Sequence, residues 1–154
     1  MTFAELFTEQ TVLHDLKATT SDECFQEILN ALVDSNRLAK KEVPRALEAL
    51  RRREKLGSTG IGNGVAIPHV KLEGLQEMAV GLGIHRGGLD FRAIDGERVR
   101  IVFLVVRSAE DAGEHLRLLQ WISRLGRNDD FRRFVAAAKS PAEMIGLLKE
   151  LGSA

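Results

Sequence analysis

The order of periodicities along the chain predicts an α/β fold, a single domain with a mixed β-sheet sandwiched between α-helices. Helical spacing of apolar residues governs roughly residues 20–55 and returns after residue 108, while strand-like runs fill the middle. One of those runs, Ile-Val-Phe-Leu-Val-Val within residues 100–106, is nearly continuous rather than alternating. A strand of that kind is covered on both faces, so it belongs at the centre of the sheet. No repeat, linker or low-complexity segment interrupts the pattern.

The elements follow in order. Val12-Leu13-His14-Asp15-Leu16 suits a short strand or an extended lead-in, with His14 at the surface or half-buried. Thr20 and Glu23 have the spacing of a capping box, and Cys24, Phe25, Ile28, Leu29, Leu32 and Val33 then share one helical face. Cys24 on that face reads as a small core residue, not a reactive thiol. A second helix spans about 41–55, with Val43, Ala46, Leu47 and Leu50 inward, Pro44 in the first turn and Arg51-Arg52-Arg53-Glu54-Lys55 at its end. Cations there complement the helix dipole. Val65 to Ile67 suits a short buried strand that Pro68 should end, and residues 70–74 read as a connection. Residues 78–84 alternate apolar with small residues and predict a strand. His85 is then a strand-end surface residue before a Gly87-Gly88 turn, followed by a short edge strand at Leu89-Asp90-Phe91 and a turn at Asp95-Gly96. Beyond the central strand, a helix over 108–126 carries a stripe of Leu116, Leu119, Ile122 and Leu125, with Trp121 beside it and His115 in its first turns. A shorter helix holds Phe131, Phe134 and Val135, and a last one opens on the Ser140-Pro141-Ala142-Glu143 box.

Composition bounds the function. The 154 residues hold 44% hydrophobic and 29% charged side chains, and Lys+Arg and Asp+Glu are both 22, so the net charge is zero. That balance argues against a general nucleic-acid or membrane-surface binder. One cysteine permits neither an internal disulfide nor a cysteine metal cluster. No apolar run approaches the roughly 20 residues of a membrane span. The amino-terminal residues lack the basic start and apolar run of a signal peptide, so a cytoplasmic location is expected.

The stretch that carries chemistry runs from Gly57 to His69: Gly-Ser-Thr-Gly-Ile-Gly-Asn-Gly-Val-Ala-Ile-Pro-His. Its glycines make a poor strand interior and suit a loop with free backbone N–H groups. No Lys-Ser or Lys-Thr follows, which excludes a P-loop, and the last spacing is wrong for a dinucleotide fingerprint. What lifts it above a plain turn is His69 at its end. His115 follows the central strand by one loop, and ligands of α/β sheets gather where such loops converge. A zinc site would need a carboxylate such as Glu114 or Asp111 to complete the two histidines. Neither Ser58 nor Ser108 sits in a nucleophile elbow.

Gly57 to His69, Arg53-Glu-Lys-Leu before it and Glu114-His115-Leu116 after the central strand closely resemble enzyme IIA components of the bacterial phosphoenolpyruvate-dependent phosphotransferase system. The likeness is to the fructose/mannitol (type 2) class, most closely its nitrogen-regulatory branch, over about residues 5–150. The resemblance implies that His69 is the phosphorylated histidine, supplied by an HPr-type phosphocarrier. His115 would hydrogen-bond the phosphoryl group or fix the tautomer of His69, and Arg53 would offset its charge. Ser58, Thr59 and Gly60 would cradle the phosphate, or shape the turn. No metal or cofactor is implied, and the partners would be the carrier and either regulatory targets or a IIB subunit. Val70, where relatives often carry glycine, would narrow the rim on which the carrier docks. With no IIB or membrane domain in the sequence, a stand-alone regulator is expected over a sugar-specific IIA subunit. A phosphorylation-independent binding module and a metal enzyme at the two histidines are the readings from other classes.

Overall fold

The apolar run after Arg100 does become the spine of the molecule. The computed structural model describes residues 2–110 and 112–153. Among them the strands are β1 (Val12–Leu13), β2 (Gly60–Gly62), β3 (Val65–Ala66), β4 (His69–Leu72), β5 (Ala79–Leu89) and β6 (Val99–Ser108). The helices are α1 (Ser21–Asp34), α2 (Val43–Leu56), α3 (Ala112–Arg127), α4 (Asp129–Ala137) and α5 (Pro141–Leu151). The sheet order is β1-β5-β6-β3-β2, with β4 also paired to β6. β5 runs antiparallel to β6 and β2 to β3, whereas β1–β5, β3–β6 and β4–β6 are parallel, so the sheet is mixed.

Side-chain alternation along β6 divides the core in two. Ile101, Phe103 and Val105 join Leu118, Trp121, Ile122, Phe131, Val135 and Met144 from α3, α4 and α5. Val102, Leu104 and Val106 face the other way, against Phe25, Ile28, Leu32, Ala46 and Leu50 of α1 and α2. Both faces of β6 are therefore covered by helices, which is why its sequence does not alternate between apolar and polar. Gly81 of β5 faces α1, where an added Cβ would lie 2.6 Å from Ile28 Cγ2. The absence of a side chain there lets the helix lie close on the sheet.

Both capping boxes cap at the expected residues, with the return contact displaced by one position. Thr20 Oγ1 accepts from Glu23 N and Ser140 Oγ from Glu143 N. The returning carboxylates accept instead from Thr19 N and Lys139 N, one position before each cap. Cys24 is fully buried, and its desolvation pushes the thiol up to about 12.

Several sequence expectations are corrected. Residues 70–74 were expected to connect, yet β4 continues the ladder. Val65↔Ile101, Ala66↔Val102, His69↔Val105 and Leu72↔Ser108 keep one constant offset, so β3 and β4 are one strand line interrupted at Ile67-Pro68. Pro68 lacks an N–H, but its carbonyl still accepts from Val105 N at 2.9 Å. The glycines at 60 and 62 lie in β2, not in an open loop. Asn63 (φ 58°) and Gly64 (φ 77°) have the φ signs of a type I′ turn, the two-residue connection whose twist suits a hairpin. β5 runs through His85 and Gly87-Gly88 to Leu89, so no separate edge strand forms at 89–91. Gly88 (φ 81°) allows an irregularity, after which pairing resumes at Leu89↔Val99. His85 sits inside β5 and its Nε2 bonds Ala18 O at 2.7 Å. On α3 the buried stripe is His115, Leu118, Trp121, Ile122 and Leu125, whereas Leu116 is 57% exposed; Phe134 of α4 is 47% exposed.

Candidate functional site

His69 and His115 meet. His69 opens β4, and the pleat fixes which way it faces. Val70 and Leu72 belong to the α1/α2 side of the sheet, so His69 and Lys71 project to the α3 side. His115 is the fourth residue of α3, on that helix's buried face. The imidazole centroids are 5.6 Å apart with ring planes at 44°. A parallel ladder pairs His69 with Val105 and Lys71 with Arg107, so Arg107 is one pleat beyond His69 on the same side.

One hydrogen bond determines the chemistry of His69. Its Nδ1 lies 2.7 Å from the carbonyl oxygen of Ile67. A carbonyl can only accept, so Nδ1 carries the proton. The neutral ring then presents its lone pair on Nε2. Of the two roles the resemblance left open for His115, fixing that tautomer is thus taken by the Ile67 backbone.

The Ile67 carbonyl is itself held by a chain of contacts from α2. Glu54 accepts from Thr59 through both carboxylate oxygens, Oε1 from Oγ1 at 2.7 Å and Oε2 from N at 3.2 Å. Thr59 O accepts from Ile67 N at 3.0 Å. The end of α2, the glycine hairpin and the imidazole of His69 are one hydrogen-bonded unit. Glu54 had no role in the sequence reading, and its signal was its place five residues before the threonine that leads into β2.

His115 is 8% exposed, and its Nδ1 is buried with no hydrogen-bond partner among the described residues. Desolvation, then the positive charge of Arg107, then His69, push its pKa from 6.5 down to about 4. His115 is therefore neutral at physiological pH, and one of its ring nitrogens carries a hydrogen to donate. Arg107 is the cation that sequence reasoning missed. Its signal was the first charged residue after the apolar run of β6, at a strand end.

The other expected residues are placed as follows. Arg53 Nη1 donates to Gly57 O at 2.8 Å, so it turns to the start of the glycine segment. Arg51 forks onto Asp22 of α1, with Nη2–Oδ2 at 2.9 Å, and Arg52 pairs with Glu48 at 3.0 Å. Thr59's two donors go to Glu54, and Gly60 N donates to Ser58 Oγ at 3.0 Å. The Ser58 hydroxyl is used there as an acceptor. Val70 packs toward the α1/α2 core, on the face opposite His69. Glu114 pairs with Arg117 at 3.6 Å, and Asp111 lies outside the described residues. Among the described residues no three His, Cys, Asp or Glu side chains are grouped to hold a metal ion, and no helix is long and apolar enough to cross a membrane.

The family model described as "Phosphoenolpyruvate-dependent sugar phosphotransferase system, EIIA 2" matches residues 5–151. The chain is 30% identical over 148 residues to a nitrogen regulatory protein of Bradyrhizobium diazoefficiens, covering 96% of this chain and 95% of that one. It is 27% identical over 150 residues to the fructose-specific EIIABC component of Bacillus subtilis, of which it spans 23%. Its fold superposes on the crystal structure of the nitrogen regulatory protein IIA-Ntr from Neisseria meningitidis with a TM-score of 0.80. The identity there is 28%, over 94% of this chain and 97% of that one.

Proposed function

Because the chain belongs to the type-2 enzyme IIA family of the phosphoenolpyruvate-dependent phosphotransferase system, we propose that it carries a phosphoryl group on Nε2 of His69. Members of that family act as phosphocarriers and regulators, and the observation that supports this atom is the Ile67 carbonyl on Nδ1. It leaves Nε2 as the one basic nitrogen of a ring that is partly exposed. An HPr-type phosphohistidine is the donor. The Nε2 lone pair forms the new N–P bond as the carrier's N–P bond breaks, and the electron pair returns to the carrier's imidazole. No water takes part, and the phosphoramidate formed retains a high transfer potential.

Phosphoryl transfer asks chiefly for positioning and for charge stabilisation of the equatorial oxygens. His115, neutral and 5.6 Å from His69 between ring centroids, donates its N–H to the phosphoryl group. Its burial keeps the donor uncharged, so the site does not lose affinity for the group as cytoplasmic pH drifts. Arg53, anchored on Gly57 O, contributes positive charge from the glycine side.

The similarity to a nitrogen regulatory protein that the chain matches over 95% of its length favours a regulator read by protein partners through its phosphorylation state. The similarity to a fructose-specific component supports a second reading, a sugar-system IIA that passes the group to a IIB protein. Both use the same histidine. Incubation with phosphoenolpyruvate, enzyme I and an HPr-type carrier, followed by intact-mass analysis at neutral pH, should give a single acid-labile phosphoryl adduct. His69→Ala should give none. An adduct of equal yield in His69→Ala would overturn the assignment, and rapid loss of the label to a IIB protein would favour the second reading.

A further inference from the structure

We propose that Arg107, at the end of the central strand, is a further catalytic residue that binds the phosphoryl group on His69; the inference rests on His69 being the acceptor.

Three observations carry it. The first is register. β4 and β6 run parallel with His69 opposite Val105 and Lys71 opposite Arg107. Partners in a parallel ladder project to the same side, and residues two apart along a strand share a face. Val105 belongs to the α3-side core, so Arg107 points to the side where His69 and His115 meet. One pleat along a neighbouring strand is about 7 Å, within the reach of an arginine side chain.

The second is the field of Arg107 at the site. Its charge is felt at His115, whose ring stands against His69. A guanidinium that disfavours a proton on His115 is placed to favour an anion in the space between the rings.

The third is its state in the unphosphorylated protein. Arg107 is half-buried, and its one hydrogen bond is a long contact, Nη1 to Ser108 O at 3.3 Å. Among the described residues, Arg51, Arg52, Arg117, Arg132 and Arg133 have carboxylate partners, whereas the ion pairs do not include Arg107. A guanidinium that is partly withdrawn from water and has no carboxylate partner among the described residues is available to fork onto a phosphoryl oxygen pair. The neighbouring cation differs: Lys71 leans on Glu73 at 3.8 Å and is more exposed. Because His115 contributes a neutral donor, a phosphoryl dianion on His69 otherwise meets little positive charge from the sheet side.

The test compares wild type, Arg107→Gln and Arg107→Lys with two donors, the phosphorylated HPr-type carrier and the small molecule phosphoramidate. The second donor needs no docking. Removing a charge-assisted donor corresponds to about a ten- to hundredfold loss, so R107Q should accept phosphate from both donors at least about tenfold more slowly and shed it faster. R107K should recover part of the rate. In unphosphorylated R107Q the titration midpoint of His115, read by NMR, should move upward, whereas R107K, which keeps the charge, should leave it near the wild-type value. Wild-type rates in R107Q with phosphoramidate would overturn the proposal, because an effect confined to the carrier would make Arg107 a docking residue. Failure of wild type to take phosphate on His69 from either donor would overturn the underlying reading as well.

Discussion

His115 carries the clearest consequence at the scale of single residues. Its folded pKa of about 4 lies below the ordinary 6.5 of an unfolded histidine. Between those values the unfolded chain binds a proton that the folded chain refuses, so folding stability rises with pH across the window. The contribution is fully present above pH 6.5, is lost as pH falls through the window and levels off below about 4. Urea unfolding at stepped pH should therefore show less destabilisation between pH 6.5 and 4 in His115→Asn than in wild type. Equal slopes would contradict the burial argument. Phosphorylation of His69 should raise the His115 midpoint, since an anion beside the ring favours its charged form. At this scale the sequence showed both histidines, because a histidine after a glycine segment and another early in a helix beyond the central strand are local patterns. Arg107 was hidden, because its relevance depends on the register of two strands far apart in sequence. Glu54 was hidden for a related reason: its role is to hold Thr59, and through it the carbonyl that sets the tautomer of His69.

Helices were legible at the scale of elements, and the short strands were not. Caps and a 3.6-residue period are local signals, and Thr20 and Ser140 cap where their boxes predicted. Exposure was less legible. Leu116 and Phe134 are apolar yet exposed, because the adjacent residues of the same helices, His115 and Val135, take the buried face. β2 and β4 are visible only through their partners: β2 is three residues of Gly-Ile-Gly, and β4 follows a proline that looks like a stop. The missed local cue was Asn63-Gly64, the dipeptide of a type I′ hairpin turn. That turn aligns Thr59 with Ile67 and so positions His69. Gly64 has φ 77°, and a Cβ there would lie 3.3 Å from Arg98 O. A non-glycine residue in that conformation costs about 1–2 kcal/mol. Gly64→Ala should lower stability by that amount in denaturant titrations and slow phosphorylation of His69 through misplacement of Ile67. Unchanged stability would mean the turn tolerates a side chain that the geometry disfavours.

At the scale of the molecule, one strand serves both halves of the core. Phe103 faces α4 with its ring 6.1 Å from Phe131 and edge-on to Phe7 at 6.1 Å, while Leu104 beside it faces α1 and α2. The two helical layers share β6 and should unfold together. Phe103→Ala should cost about 3–5 kcal/mol, with fluorescence of Trp121 and helical dichroism lost in one transition; separate transitions would mean the layers are independent. The mixed sheet between helices was legible in the order of periodicities, because a strand buried on both faces requires layers on both sides. What the periodicities did not give was the line formed by β3 and β4 along β6, which brings His69 to face His115. The central claim concerns one atom. NMR of the phosphorylated, nitrogen-15-labelled protein should show phosphorus coupled to Nε2 of His69, with the proton retained on Nδ1. Phosphorus on Nδ1, or on another residue, would contradict the account, because the Ile67 carbonyl could not then be what prepares the histidine.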